Sequence, residues 1–105
     1  MTAAAGHGFQ LDTGTPGTLG VGGELSFDTA AAALQAIQSA LAGGSVSHLD
    51  LAGVRHSDSA GLACVLAVAA EAARRGQALQ VVHMPAGMQA LAQVCEVDRL
   101  IAHEG

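Results

Sequence analysis

The sequence predicts one α/β domain, in which a single mixed β-sheet of about four to five strands has helices covering one face. First, short alternating or continuously apolar segments follow one another with segments of helical periodicity between them. Second, 28 large apolar residues in a chain of 105 are enough for one compact core but not for two. Third, 23 alanines and 14 glycines accompany only two aromatic residues, which favours helices packed closely on a sheet.

The first two predicted strands form a hairpin. Residues 1–8 are small and aperiodic, so we expect them to be disordered, with residues 9–105 forming the single domain. Phe9 to Thr13 alternates apolar and polar side chains and leads into a turn-forming Gly-Thr-Pro-Gly segment. Thr18 to Leu25 alternates again, and its three glycines indicate a β-bulge or the close approach of another backbone.

A helix is predicted to follow, and both Asp28 and Thr29 are suitable N-cap residues, with Asp28 expected as a structural cap. Apolar side chains recur at spacings of four, three and four residues until Gly43 and Gly44 end the helix. The predicted core-facing positions are Ala30, Leu34, Ile37 and Leu41.

The second half of the chain predicts a buried strand at Val46–Leu51, because Leu49 and Leu51 both need cover. Helical periodicity predicts a second helix over Gly61–Arg75, a strand follows at Leu79–Met84, and a short helix covers Gly87–Val94. Leu100 and Ile101 belong to a possible last strand. The strand–helix–strand order predicts a right-handed parallel crossover.

The second predicted helix has two apolar sets. The expected core stripe consists of Leu62, Val65, Leu66, Ala69 and Ala73. A further set, formed by Cys64, Val68 and Ala72, is either buried as well or presents a surface to a partner.

The segment from Leu49 to Leu62 is the most informative about function. A strand runs into a loop that ends at a helix N-terminus, where Asp58 is a predicted structural cap and Ser59 lies in the first turn. Unpaired N–H groups at such a terminus favour an anion or a phosphoryl group. The alternative is that Asp58 is only a cap and Ser59 only a polar first-turn residue.

Three short motifs resemble the STAS domain family. Asp50-Leu51-Ala52-Gly53-Val54 followed by Asp58-Ser59-Ala60-Gly61-Leu62 resembles the family's Asp-Leu-Ser strand end and its Asp-Ser-Ser-Gly-Leu loop. Gly23-Glu24-Leu25-Ser26-Phe27 looks like the family's Gly-Glu-Leu-Asp before the first helix, and Gly76-Gln77-Ala78-Leu79 also fits. The resemblance covers Phe9 to Ile101 and implies the STAS fold.

The resemblance implies a non-enzymatic interaction module that binds a protein partner. STAS domains include anti-sigma-factor antagonists, in which the residue after the motif's Asp is a serine phosphorylated by a partner kinase, and MlaB, an accessory subunit of a phospholipid-transporting ABC complex. Ser59 stands at that position, and Asp-Ser-Ala-Gly-Leu-Ala is closer to the MlaB-like form because Ala60 replaces a second serine. The expected docking segment is His56, Ser57, Asp58, Ser59, Ala60, Gly61 and Leu62.

The resemblance leaves two partners open. An MlaB-like bacterial subunit would dock on the ABC-transporter ATPase subunit, and would be cytoplasmic and peripheral to the inner membrane through that complex. An antagonist would bind an anti-sigma factor with serine kinase activity, which would phosphorylate Ser59. Neither hypothesis requires a cofactor.

Charge and composition argue against other partners and chemistries. Nine acids against four arginines give a net charge of −5 without a basic stripe, which argues against nucleic acid. The first eight residues contain neither a basic residue nor an apolar run, so we expect them not to form a signal peptide. Since no apolar run is long enough to span a bilayer, we expect no direct membrane insertion. We also expect Cys64 and Cys95 to be buried free thiols.

Two site types remain as weaker alternatives. His56, Asp58 and Ser59 would make a hydrolase triad only if they reached one another, and the Gly-x-Ser-x-Gly motif is missing because residue 57 is Ser. His48, His56 and His83 could converge near strand ends, but no pair has metal-ligand spacing, so we predict no metal site.

Overall fold

Strands and helices alternate along most of the chain in the computed structural model, which describes residues 2–4, 8–101 and 103–104. The strands are β1 (Thr2–Ala4), β2 (Phe9–Asp12), β3 (Thr18–Leu25), β4 (His48–Ser57), β5 (Gln80–Val82) and β6 (His103–Glu104). The helices are α1 (Ala30–Leu41), α2 (Ser59–Arg74) and α3 (Ala86–Val94), and a short 3₁₀ helix spans Asp98–Leu100.

The six strands of the described residues form one mixed sheet in sequence order. β1, β2 and β3 are successively antiparallel, whereas β3, β4, β5 and β6 are successively parallel. The predicted α/β fold with one mixed sheet is confirmed. The strand number exceeds the expected four to five because of the short outer strands β1 and β6.

The two ends of the chain differ from the prediction in detail. β1 lies within the eight residues for which we predicted disorder, and its backbone pairs with β2, from Thr2 opposite Asp12 to Ala4 opposite Gln10. Residues 1 and 5–7 lie outside the described residues, as do residues 102 and 105. The possible last strand at Leu100–Ile101 is replaced by the end of the 3₁₀ helix, and β6 follows it.

The core lies between the sheet and the helices. Alternate strand residues such as Leu19, Leu49 and Val81 are buried against the helices, while their neighbours point to the other face. In α1 the side chains of Ile37 and Leu41 are buried as predicted, and Ala30 and Leu34 pack against the core from half-buried positions. The helices therefore cover one face of the sheet, as the sequence predicted.

The predicted cap Asp28 is wrong. α1 begins at Ala30 with Thr29 at the N-cap position, and Asp28 precedes that position with an exposed side chain. The Thr29 hydroxyl accepts a hydrogen bond from the Ser26 N–H (2.9 Å) and lies 2.9 Å from the Glu24 carbonyl oxygen, to which it donates. The buried Thr29 side chain closes the turn before the helix, and this leaves Asp28 on its outer side.

β4 is longer than the predicted strand Val46–Leu51, because it continues through the expected loop to Ser57. The alternation of buried and exposed residues breaks at Ala52 and Gly53, which are both exposed; Val54 is buried again, but Arg55 and His56 after it are both exposed. The β3–β4 pairing shifts in register at this level, where Gly22 faces Gly53. A β-bulge of this kind interrupts the period of two, so the strand pattern stops too early in the sequence.

The buried face of α2 is rotated from the predicted stripe. Of the two alternatives for Cys64, Val68 and Ala72, the structure shows burial rather than a partner surface, while the predicted stripe member Ala73 is exposed. Gly61 explains the orientation, because a Cβ at this position would overlap the Leu25 carbonyl oxygen. The missing side chain lets α2 lie directly on the end of β3.

Both cysteines are free thiols, but they differ in exposure. Cys64 is buried, and burial raises the pKa of its thiol to about 11. Cys95 follows α3 and is exposed, which corrects the expectation that both thiols are buried. The apolar residues around Cys95 in the sequence favoured burial, but the helix ends at Val94, whose own side chain is exposed.

Candidate functional site

Two turns meet where β3 and β4 end. Leu25 and Ser57 are paired at the last position of the two parallel strands, and the Asp58 N–H lies 3.3 Å from the Leu25 carbonyl oxygen. The chain then turns through residues 26–29 into α1 and through Asp58 into α2. Because parallel strands end at the same sheet edge, residues distant in sequence become neighbours here.

Asp58 connects these two turns through its two carboxylate oxygens. Oδ1 accepts hydrogen bonds from the N–H groups of Ala60 (2.9 Å) and Gly61 (3.1 Å), which makes Asp58 the N-cap of α2. Oδ2 accepts the N–H of Phe27 at 3.0 Å, across 31 residues of sequence. One side chain thus caps α2 and fixes the turn that leads into α1.

These hydrogen bonds stabilise the charged form of Asp58. They lower the pKa of this carboxyl group, the bond from Phe27 most strongly, followed by those from Gly61 and Ala60, with a smaller contribution from the charge of His56. Partial desolvation acts in the opposite direction. Asp58 therefore carries its negative charge at neutral pH.

Ser59 occupies the first position of α2 with an exposed side chain. Within the described part of the chain, its hydroxyl makes no hydrogen bond, so it is available to a partner or to a modifying enzyme. The N–H groups of a helix's first turn favour added negative charge there, whereas the neighbouring carboxylate of Asp58 opposes it.

The structure divides the predicted docking segment into exposed and structural residues. His56 and Ser59 are exposed, and Ser57, Asp58 and Ala60 are partly exposed. Gly61 and Leu62 are buried and so are structural residues of the segment, and contact with a partner stays a prediction for the exposed ones. The two buried residues belong to the side of α2 that packs on the sheet, which the sequence motif could not separate from the exposed side.

Phe27 belongs to this site but was not predicted from the sequence. Its side chain is 83% exposed, next to the turn that Asp58 holds. One signal was available: Phe27 falls between the predicted strand and the predicted helix, in the apolar pattern of neither. The sequence pattern therefore assigns Phe27 to neither core-facing set.

The side chains at this site form neither the hydrolase triad nor the metal site that were considered from the sequence. The carboxylate of Asp58 binds backbone N–H groups rather than the imidazole of His56, so the hydrolase arrangement is not formed. His83, one of the three histidines considered as metal ligands, contacts a carboxylate: its Nδ1 lies 3.0 Å from Asp50 Oδ1. The backbone of His83 has a positive φ of 57°. Residues 8–101 and the described parts of the two ends contain no group of three or more side chains able to hold a metal ion.

The sheet face opposite the helices has a shallow depression of about 380 Å³. Glycines form its floor, so no side chains fill it there. A side chain at several of these positions would contact the neighbouring strand. Its floor and rim include Gly20, Gly22, Gly53, Asp12, Asp50 and Arg55.

None of the helices that the structure describes has the length and apolar character needed to cross a membrane.

Comparisons with known proteins agree with this fold. Residues 10–102 match the model of the family described as Mlab, STAS domain. A search of curated proteins finds no match.

Three solved structures are similar in fold. An anti-sigma factor antagonist from Mycobacterium paratuberculosis has a TM-score of 0.70 and 23% identity, over 98% of this chain and 89% of that one. The anti-sigma factor antagonist SpoIIAA in its unphosphorylated form has a TM-score of 0.64 and 20% identity, over 92% and 87% of the two chains. The Bacillus cell fate determinant SpoIIAA in its phosphorylated form gives the same TM-score and identity, over 92% and 91%. The match to the family model over 10–102, together with this fold, shows that the chain belongs to the STAS domain family.

Proposed function

We propose that this STAS domain is a non-enzymatic interaction module that docks on a protein partner through the exposed residues around Ser59. The observation that carries the proposal is the exposed Ser59 at the start of α2, next to Asp58, which caps this helix by two hydrogen bonds and holds the neighbouring turn by a third. A fixed backbone lowers the entropy lost on binding, which suits a docking surface.

The first candidate partner is the ATPase subunit of a phospholipid-transporting ABC complex. The family model that matches residues 10–102 is that of MlaB, and the sequence Asp58 to Ala63 resembles the MlaB-like motif. In this role the chain binds no nucleotide itself and stabilises or regulates the ATPase. It would then be cytoplasmic and peripheral to the inner membrane through the transporter.

The second candidate partner is an anti-sigma factor with serine kinase activity. The solved structures with a similar fold are anti-sigma factor antagonists, and one is described in a phosphorylated form. The exposed hydroxyl of Ser59 is open to phosphoryl transfer, which would add a charge of about −1.5 to −2 next to Asp58. Such a change would switch the affinity of the docking surface.

The two candidates are separated by capturing partners from native lysate with the wild-type chain and with Ser59→Glu, and identifying them by mass spectrometry. Enrichment of an ABC ATPase by the wild type supports the first candidate. A kinase-type anti-sigma factor supports the second, provided that the purified pair and ATP add one phosphoryl group to the wild type and none to Ser59→Ala.

Recovery of neither partner class contradicts both candidates. Equal recovery of the same partner by the wild type and Ser59→Glu contradicts the proposed role of Ser59.

A further inference from the structure

The exposed ring of Phe27 is unusual for this chain. Phe27 and Phe9 are its only aromatic residues, and Phe9 is 1% exposed in the core whereas Phe27 is 83% exposed. Burying a side chain of this size removes a large apolar area from water, which is favourable. Phe27 gains little of that stabilisation within the described fold, but it would gain it on contact with a partner.

The backbone that carries Phe27 is held in place. Its N–H is bound by Asp58 Oδ2 at 3.0 Å. The preceding Ser26 donates its own N–H to the Thr29 hydroxyl at 2.9 Å, and its carbonyl accepts the Ala30 N–H at 2.8 Å. These bonds fix the turn on both sides of the ring, so docking orders only the side chain and costs less conformational entropy.

The acidic residues Asp28 and Asp58 lie next to Phe27. Asp28 follows it directly with an exposed side chain, and the carboxylate of Asp58 contacts its backbone. The chain contains no lysine, and its four arginines lie at 55, 74, 75 and 99, none of them in this turn. A surface complementary to this one has an apolar pocket for the ring, with basic side chains around it.

We propose that Phe27 is the apolar anchor of the docking surface and inserts into an apolar pocket on the protein partner, bordered by arginine or lysine side chains. Asp58 acts as a positioning residue that joins the anchor to Ser59 in one surface. The inference rests on the proposed function, because it names what the partner must offer to the surface around Ser59. Exposed aromatic residues with fixed backbones are typical binding hot spots.

The test measures the dissociation constant of the purified chain and its purified partner by isothermal titration calorimetry, after the partner has been identified by capture. Phe27→Ala should weaken binding by about 30-fold, the size of a typical hot spot. Val94→Ala is the matched control, because Val94 is an 80% exposed apolar residue at the end of α3, outside the proposed surface. It should change the affinity by less than about twofold, since exposed residues outside an interface contribute little.

Asp58→Asn separates the two roles of Asp58. Asparagine is as good an N-cap as aspartate, so its oxygen can continue to accept the Ala60 and Gly61 N–H groups. Its amide NH₂ then replaces Oδ2 and cannot accept the Phe27 N–H. Binding should weaken by about tenfold while the circular dichroism spectrum stays that of the wild type.

The charge part of the proposal is tested by salt. Binding of the wild type should weaken as the sodium chloride concentration rises, and Asp28→Asn should reduce that dependence. Affinity that is unchanged or stronger at high salt contradicts the basic border of the pocket. The wild type and Phe27→Ala are also sedimented with anionic phospholipid vesicles. If the wild type binds the vesicles and Phe27→Ala does not, the ring enters a lipid surface and the proposed pocket on a protein partner is wrong.

Different results contradict the role of Phe27 as an anchor and the role of the surface around Ser59 as a docking site. If the wild type binds its partner, Ser59→Glu impairs the complex and Phe27→Ala does not, the anchor is wrong and the docking site stands. If Ser59→Glu and Phe27→Ala both leave the affinity unchanged, the docking site itself is wrong.

Discussion

Asp58 acts on two parts of the fold through its two carboxylate oxygens. One oxygen caps α2, as a cap motif in the sequence predicts, and the other reaches the N–H of Phe27. The first function depends on residues two and three positions away and is therefore visible in the sequence. The second joins residues 31 positions apart and exists only because β3 and β4 end side by side.

The hydrogen bonds of Asp58 predict how stability depends on pH. They lower the pKa of this carboxyl group in the folded chain below its ordinary value of 3.8. A group with a lowered folded pKa stabilises the native state above its unfolded pKa and loses that effect as the pH falls through the folded pKa. The urea midpoint of the wild type should therefore exceed that of Asp58→Asn at pH 7, by a margin that shrinks below pH ~4.

Asp28→Asn is the control for this experiment, because Asp28 is exposed and lies outside the cap. Its urea midpoint should follow that of the wild type at each pH. A difference between the wild type and Asp58→Asn that is the same at pH 7 and at pH ~3 would show that the charged form of Asp58 is not the stabilising one.

At the scale of elements, the sequence predicts those whose periodicity is uninterrupted. β3 has the predicted bounds, and the apolar positions of α1 include its buried Ile37 and Leu41. β4 was shortened in the prediction because the bulge at Ala52 and Gly53 breaks its alternation. The face of α2 was misjudged because alanines on all sides leave the helix without a single apolar stripe.

The packing of α2 on β3 depends on Gly61. A methyl group there would overlap the Leu25 carbonyl oxygen, which is backbone and cannot rotate away. Gly61→Ala should therefore lower the free energy of unfolding by more than about 2 kcal/mol, as overpacking of a fixed contact does. The measurement is equilibrium urea denaturation.

Gly87→Ala is the matched control for Gly61→Ala. Gly87 is also near the start of a helix, α3, but a Cβ built on it meets nothing within 4 Å. Alanine should leave stability unchanged or raise it by up to about 1 kcal/mol, because it is the better helix former. If both variants were equally stable, the close approach of α2 to β3 would be wrong.

For the molecule as a whole, the fold makes the two thiols differ in accessibility. Cys64 lies in the core on α2 with its pKa raised to about 11, whereas Cys95 is exposed after α3. The folded protein at pH 8 should therefore react with a thiol reagent such as DTNB at one site, and unfolding in urea should expose the second. Cys95→Ser should abolish the reaction of the folded chain, and rapid modification of that variant would contradict the burial of Cys64.

Only the local part of the proposed docking surface can be predicted from the sequence, because the rest depends on how the elements pack in the whole fold. Asp58 and Ser59 are adjacent in sequence and carry a cap pattern, so their position at a helix start follows from local rules. The exposure of Phe27, the burial of Gly61 and Leu62, and the contact between the two turns depend on how β3, β4 and α2 pack. These contacts are long-range and leave no periodic signal.

Docking through the surface around Ser59 is measured most simply by calorimetric titration of the purified partner with the wild type and with Ser59→Glu. Glutamate is longer than serine and would hold the two surfaces apart, and this steric effect should outweigh the attraction of its charge to basic partner side chains, so affinity should fall by at least about tenfold. Ser45→Glu is the matched control, because Ser45 is exposed before the start of β4, at the opposite end of that strand from Ser57. Ser45→Glu should bind as the wild type does, whereas equal affinities for Ser59→Glu and Ser45→Glu would show that the surface around Ser59 is not the docking site.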